Sequence, residues 1–296
     1  MPPVSPPPTS AEQPSDGAGT AEPAPAEPPR RHLLRAAVIA ALTAALLTPT
    51  ALLIGRPPST PQLTVIGTGS GADGALSILL EGAGGGRVLI GGGASGADLP
   101  AALARTAPPW RDRLDLLLVT DARDLPGATE LVRRGRVGQL ATVGLANERD
   151  PDLVALRQRC AASGVPLRAI GAGERIAIGR GEPLTLDVRP GDMGETPVLS
   201  LAGGGLSAAI VAGSDAPAGA PALAIVSHGS AERYRAALAG GARLHVAPAA
   251  PIGNAPDTAT QLLLVAPGRY VTLGMAGANL RLRGGTPTAL FPEPVP

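Results

Sequence analysis

The sequence contains no lysine, one cysteine and very few aromatic residues, which are Trp110, Tyr234, Tyr270 and Phe291. The core therefore has to be built from Leu, Val, Ile and Ala. Because Cys160 is the only cysteine, an intramolecular disulfide and a cysteine-based zinc site are both excluded. Arginines and acidic residues nearly balance at a formal net charge of +1. No global field attracts the chain to nucleic acid, and we expect no such partner.

The composition of the chain changes near its amino terminus. Residues 1–32 are rich in Pro, Ala, Ser and Glu and predict a disordered tail, because they offer little apolar surface to bury. Residues 33–55 contain an uncharged, mostly apolar run that begins at Ala36 and ends at Ile54. This run has about the length that spans the hydrocarbon core of a bilayer. It predicts a single transmembrane anchor.

The arginines around this run set its orientation. Arg30, Arg31 and Arg35 precede it, and only Arg56 follows it closely. The positive-inside rule then places the amino terminus in the cytoplasm and the rest of the chain outside it. A cleaved signal peptide is the alternative, but the leading segment is long and no small-x-small site follows the run. We therefore predict a single-pass membrane protein with an uncleaved anchor.

Beyond a linker at residues 56–62, the chain shows strand pairs first and helices later. Strand pairs are predicted in "ALSILLEGAGGGRVLIGGG" and "VLSLAGGGLSAAIVAG", and a terminal hairpin in "QLLLVAPGRYVTLG" with "NLRLRGG". Helices are predicted in "ADLPAALART", "GATELVRRG", "DPDLVALRQRCAASG" and "SAERYRAALAGG". A doubly wound parallel sheet would alternate strictly. The pattern instead favours an α/β fold with two mixed sheets face to face and helices outside, followed by a Pro-rich tail at residues 286–296.

The order of these segments resembles the metallo-β-lactamase fold, specifically the extracytoplasmic hydrolase-like domain of competence-type DNA-uptake channel proteins. The matching segments are "VIGTGSGADGALSILLEG", "RVLIGGG", "LDLLLVTDARDLPGATEL", "AAIVAGSDA", "LAIVSHGS" and "PIGNAP". They cover about residues 63–285. The resemblance implies a four-layer αββα sandwich, with a binuclear metal centre built from histidines and carboxylates at loop ends.

Several positions at which the family carries these ligands are substituted here. By the resemblance, the two histidines of the first ligand loop fall on Asp121 and Arg123. If one residue is deleted, the Asp-His pair that follows falls on Asp124 and Leu125. An arginine brings a fixed positive charge to a position meant for a ligand of a dication. The supporting carboxylate of the L-I-D-G-G motif falls on Gly91. The resemblance therefore implies a ligand set that has been largely dismantled.

At the later ligand positions the resemblance is mixed. Asp215 stands at the bridging carboxylate, His228 at the second histidine of G-H-H-G-S, and Asn254 at the last metal-binding histidine. Structural roles compete with these assignments, since Asp215 can cap its loop and His228 can hold its turn by a hydrogen bond. His245 is expected to be a core residue. Asp121, Asp124 and Asp215 together could also form an oxygen-rich site for Ca²⁺ or Mg²⁺.

Two hypotheses follow for the function, and a third, nucleic-acid binding as in the uptake-channel proteins, is weakened by the near-zero net charge. The first is a membrane-anchored, non-catalytic metallo-β-lactamase-like domain that binds no cofactor and has a binding or assembly role, with an envelope protein as partner. The second is a metal-dependent hydrolase with a rebuilt mononuclear site for one divalent metal at Asp121, Asp215 and His228. The remnant site in either case comprises Asp121, Arg123, Asp124, Asp215, His228 and Asn254. The sequence fixes neither a ligand nor an oligomeric state.

Overall fold

The computed structural model describes residues 58–69, 74–93, 98–106, 111–145, 149–180, 183–189, 198–212, 217, 219, 221–229, 231–248, 261–276, 279–285 and 289–291. No helix within these ranges is both long and apolar enough to cross a membrane. The predicted tail and anchor lie outside them. The anchor therefore stays a prediction.

The first of two eight-stranded sheets contains most of the amino-terminal strands and two late ones. Its strands are β1 (Gln62–Thr68), β2 (Ala75–Glu81), β3 (Arg87–Ile90), β4 (Leu116–Val119), β5 (Leu140–Val143), β6 (Leu167–Ile170), β14 (Tyr270–Ala276) and β15 (Asn279–Gly285). Their spatial order is β15-β14-β1-β2-β3-β4-β5-β6. Strands β3 to β6 are parallel, and the other neighbours are antiparallel.

The second sheet contains the remaining strands. These are β7 (Arg175–Ile178), β8 (Leu184–Val188), β9 (Leu199–Gly203), β10 (Leu206–Val211), β11 (Leu223–Val226), β12 (Leu244–Pro248), β13 (Gln261–Val265) and β16 (Ala289–Phe291). Their spatial order is β16-β13-β12-β11-β10-β9-β8-β7. Strands β10 to β13 are parallel. Both sheets are thus mixed, as predicted.

Three hydrophobic clusters show how the layers stack. The largest joins the facing sides of the two sheets, with Leu80 and Ile90 from the first and Leu186 and Ile225 from the second. The helices are α1 (Asp98–Thr106), α2 (Leu125–Arg133), α3 (Pro151–Ser163) and α4 (Ala231–Ala239). The second cluster joins α1, α2 and α3 to the outer face of the first sheet, and the third joins α4 to the second sheet. The layers therefore follow the predicted αββα order.

The strand pairs around glycine-rich turns are present as β2–β3 and β9–β10. The terminal hairpin was wrong in part. Strands β13 and β14 lie in different sheets, and the hairpin forms between β14 and β15. The connection between β13 and β14 packs on the end of β1, where Gly67 leaves no room for a side chain beside the carbonyl of Ala266. Strand β16 lies within the stretch assigned to the tail and pairs with β13.

Candidate functional site

Four of the candidate residues converge where β4 ends. Strand β4 is buried and runs parallel to β3 and β5, and the carboxyl ends of parallel strands are common places for functional groups. The chain then makes a 3₁₀ turn, Ala122–Asp124, and enters α2. Asp121 caps this turn, because its carboxylate accepts a hydrogen bond from the backbone N–H of Arg123 at 3.0 Å.

The carboxylate of Asp121 is held by two guanidinium groups. Arg123 binds it at two points, with Nε 3.1 Å from Oδ1 and Nη2 3.0 Å from Oδ2. Arg233, on α4, donates from Nη2 to the same Oδ2 at 3.0 Å. The side chain of Asp121 is 11% exposed, that of Arg233 is 15% and that of Arg123 is 44%. One guanidinium thus faces solvent and the other is largely covered.

These contacts decide the charge of Asp121. Burial alone would raise the pKa of this carboxyl, but the hydrogen bonds from Arg123 outweigh it and hold the pKa well below its usual range. The carboxylate is therefore ionised at any ordinary pH. Its charge is compensated by arginine side chains of the protein itself.

Asp124 lies beside this pair in a different environment. It is 1% exposed, and its Oδ1 accepts a hydrogen bond from the backbone N–H of Gly93 at 3.1 Å. Its Oδ2 is buried and has no hydrogen-bond partner in the part of the chain that the structure describes. Burial, followed by the negative charge of Asp121, raises the pKa of Asp124 to about 7. The pKa values of two neighbouring carboxyl groups are thus shifted in opposite directions.

The substitution at Gly91 is coupled to the position of Asp124. Gly91 has a φ of +83°, and a Cβ built on it would lie 3.5 Å from Oδ2 of Asp124. A carboxylate at residue 91 would face the buried carboxyl of Asp124. The glycine therefore leaves the space that this carboxyl needs.

His228 enters the cluster from the other sheet. It follows β11 in a loop that binds the start of β2, since Leu76 N donates to the Ser227 carbonyl at 2.7 Å and Gly229 N donates to that of Gly74 at 2.8 Å. The side chain of His228 is fully buried. These backbone bonds fix the imidazole between the two sheets, where its Nδ1 lies 3.8 Å from Oδ2 of Asp121.

The two ring nitrogens of His228 have different surroundings. Nδ1 lies 3.1 Å from the hydroxyl oxygen of Ser227, whose hydroxyl also lies 3.3 Å from the carbonyl oxygen of Val211. Nε2 has no hydrogen-bond partner among the described residues and lies 3.7 Å from Oδ1 of Asp124. Burial lowers the pKa of His228 to about 4; Asp121 opposes this shift, and Arg123 and Arg233 add to it. The imidazole is neutral at neutral pH.

Sequence reasoning missed Arg233. It lies 112 residues from Asp121 along the chain, and the contact exists because α4 begins just after the loop that carries His228. The sequence shows an arginine in the first turn of a helix after "SHGS". Only the pairing of this loop with β2 brings that helix to Asp121.

The other candidates divide into two groups. Asp215 and Asn254 lie outside the described residues. Leu125 is buried in the helix-side cluster on the first sheet. His245 is also buried, and its Nε2 lies 3.0 Å from the carbonyl oxygen of Ala242, in keeping with a core role.

The described residues do not fit a binuclear metal centre. In the described ranges, no group of three or more His, Cys, Asp or Glu side chains is placed to hold a metal ion. Asp121 already accepts from two cations, and Arg123 stands where the resemblance requires a neutral imidazole. What the arrangement holds instead is an ion-pair cluster, comprising Asp121, Arg123 and Arg233, beside the buried pair of Asp124 and His228.

Comparisons with known proteins give a distant likeness in structure. No family model and no curated protein matches the sequence. Zn²⁺-bound PqqB from Methylobacterium extorquens is similar at a TM-score of 0.39 and 14% identity, over 55% of this chain and 69% of that one. A diphosphatase from the PhnP family is similar at a TM-score of 0.40 and 15% identity, over 63% of this chain and 85% of that one. These values transfer neither a metal nor an activity to this chain.

Proposed function

We propose that this chain is a membrane-anchored protein whose extracytoplasmic, metallo-β-lactamase-like domain is not a catalyst. In this proposal the domain has a binding or assembly role at the cell envelope. The anchor is supported by the apolar run of residues 36–54 and the arginines before it. The non-catalytic role is supported by the ion-pair cluster.

The observation that carries the proposal is the double engagement of Asp121 by Arg123 and Arg233. A dication about 4 Å from one guanidinium is repelled by about 8 kcal/mol at an effective dielectric constant of about 20. Two guanidiniums roughly double this repulsion, and the attraction between the dication and the Asp121 carboxylate offsets only about half of the sum. A metal bound at Asp121 would therefore have to displace both arginines, and the cluster closes the position where a metallohydrolase would activate water.

A hydrolase with one divalent metal is the second candidate, and one observation favours it. Nε2 of His228 and Oδ2 of Asp124 are both buried and have no hydrogen-bond partner among the described residues, which is unusual for polar atoms in a folded protein. Nitrogen and carboxylate oxygen are ligands for zinc or manganese. A metal there would satisfy both atoms, with His228 and Asp124 as its ligands.

Metal analysis of the full chain in detergent separates the two candidates. The chain is dialysed against zinc and manganese, washed, and its metal content is measured beside that of His228→Ala. The proposal expects a content far below one ion per chain in both proteins. Near-stoichiometric metal that is lost in His228→Ala would instead refute the metal-free proposal and favour the hydrolase.

Membrane fractionation tests the anchor separately. The full chain should stay with the membranes through alkaline and high-salt washes and be released by detergent, because an apolar helix holds it. Recovery of the intact chain in the wash without detergent would refute the anchor.

A further inference from the structure

The end of the sandwich that lies opposite the ion-pair cluster, called the edge below, contains turns from both sheets. There the turn between β2 and β3 packs on the turn after β7, because Arg180 N donates to the carbonyl of Ala83 at 2.9 Å, and Gly82 leaves no room for a side chain beside Gly179. The first described residue, Pro58, lies at the same edge, since its carbonyl accepts from Gly84 N at 3.1 Å.

Exposed arginines from four separate segments lie at this edge, and we call them the basic edge. Arg281 lies opposite Gly274, which in turn lies opposite Gln62 at the start of β1. Arg283 extends its side chain over Gly274. The other three precede β4, follow β7 and precede β12. The basic edge comprises Arg113, Arg180, Arg243, Arg281 and Arg283, all of them exposed.

Two carboxylates near this edge pair with arginines that are not among its members. Glu81 is buried between Arg87 at 3.1 Å and Arg111 at 3.3 Å, and Asp112 pairs with Arg136 at 3.4 Å. Asp115 accepts from the backbone N–H of Arg87 at 2.7 Å, which leaves one negative charge beside the five arginines.

Among the described residues, the basic edge is therefore a concentration of positive charge. The net charge of +1 over the whole chain does not reveal it, because four separate segments of the chain contribute its members.

Only a short connection joins the predicted anchor to the edge that holds the arginines. The apolar run ends at Ile54, and Pro58 follows four residues later. Four residues of extended chain span at most about 14 Å. An anchor that ends at Ile54 therefore keeps the edge that holds Pro58 within this distance of the end of the apolar run.

We propose that the basic edge docks on the anionic headgroups of the membrane that holds the anchor. This proposal rests on the anchored arrangement of the proposed function. Arginines near an anionic surface are attracted by its potential, by roughly five-fold in binding for each residue at low salt. Docking would turn the opposite edge, which carries Asp121 and His228, away from the bilayer.

The test uses the full chain in lipid nanodiscs. One set contains phosphatidylcholine alone and the other an equimolar mixture with phosphatidylglycerol, each with a dansyl-labelled lipid. Trp110, the only tryptophan, directly precedes Arg111 and serves as the energy donor. Transfer to dansyl should be higher in anionic discs and fall with added salt.

The double variant Arg281→Gln/Arg283→Gln should lose roughly thirty-fold in the docking equilibrium, at five-fold per arginine. Arg189→Gln/Arg269→Gln, at the opposite edge, is the matched control and should behave as wild type.

Equal transfer in the two kinds of disc, or an equal loss in the control variant, would overturn the docking proposal. Salt-sensitive binding of duplex DNA by the basic edge, with no dependence on lipid charge, would overturn it in favour of a nucleic-acid surface. Failure of the anchor gives a different result, because the chain would then not co-elute with the discs at all.

Discussion

The guanidinium of Arg123 and the carboxylate of Asp121 form a two-point pair, with Nε 3.1 Å from Oδ1 and Nη2 3.0 Å from Oδ2. A guanidinium that takes the place of a metal is expected to pair with the carboxylates beside it, and its removal costs about 3–5 kcal/mol if the pair is buried. The Asp121 contact is present, but the side chain of Arg123 is 44% exposed. We therefore expect a smaller loss of stability when Arg123 is removed. The more buried Arg233 is expected to stabilise the carboxylate more strongly.

We predict that Arg233→Ala lowers the free energy of unfolding more than Arg123→Ala does. The expected losses are about 2–3 kcal/mol for Arg233, which is largely covered, and about 1 kcal/mol for Arg123, which is screened by solvent. Arg133→Ala, whose ion pair with Glu130 is exposed, is the control and should change little. Urea denaturation of the three variants measures the order. Equal losses for Arg123 and Arg233 would show that burial does not set the strength of this cluster.

We predict a weak pH dependence of stability between about pH 4.5 and 6. The folded pKa of Asp124 is raised to about 7 from 3.8, so the folded state binds this proton more tightly and acidification through this range stabilises it. The folded pKa of His228 is lowered to about 4 from 6.5, so the unfolded state binds that proton more tightly and acidification destabilises the fold. The two contributions to the free energy of unfolding change with pH in opposite directions, each by up to about 1.4 kcal/mol per pH unit. Asp121 acts only below about pH 3.8, where its lowered pKa makes acid destabilising.

The substitution Asp124→Asn removes the Asp124 contribution and leaves the pH dependence of stability that comes from His228. The amide resembles the protonated acid and removes the buried charge, so the variant should be at least as stable as wild type at pH 8. Between pH 6 and 4.5 it should lose stability on acidification, because the His228 contribution is no longer balanced. Unfolding curves at several pH values test this. A variant whose stability stays flat over the range would show that His228 titrates normally.

We predict that Gly127→Ala is strongly destabilising although it lies inside α2, where alanine usually favours the helix. A Cβ at Gly127 would collide with the carbonyl oxygens of Gly92 and Gly93, which hold the helix against the end of β3. The expected loss is about 3 kcal/mol, since backbone has to move. Gly135→Ala, where the added Cβ meets nothing within 4 Å and φ is +67°, should lose only about 1 kcal/mol. A loss at Gly127 no larger than at Gly135 would contradict the close approach.

The sequence predicts more of the layers than of the site. Glycine-rich turns and apolar strands predict β2–β3 and β9–β10, because hairpin signals are local. The pairing of Arg123 with Asp121 was accessible for the same reason, since only Ala122 lies between them. Arg233 was not, because its contact depends on which loop meets β2. The connection after β13 carries turn residues that suit a hairpin, yet the chain crosses there to the other sheet. Local chemistry does not encode such long-range choices.

The central claim is that arginines have taken the place of a metal, and thermal unfolding with zinc and with a chelator tests it most directly. The full-length wild type is compared with the triple variant Asp121→His/Arg123→His/Arg233→Gln, which removes both cations and adds two imidazoles beside His228. We predict that the unfolding temperature of the wild type is the same with zinc and with the chelator. We predict that zinc raises that of the triple variant, because binding to the folded state alone stabilises it. A wild type that loses many degrees on chelation and regains them with zinc would contradict the account.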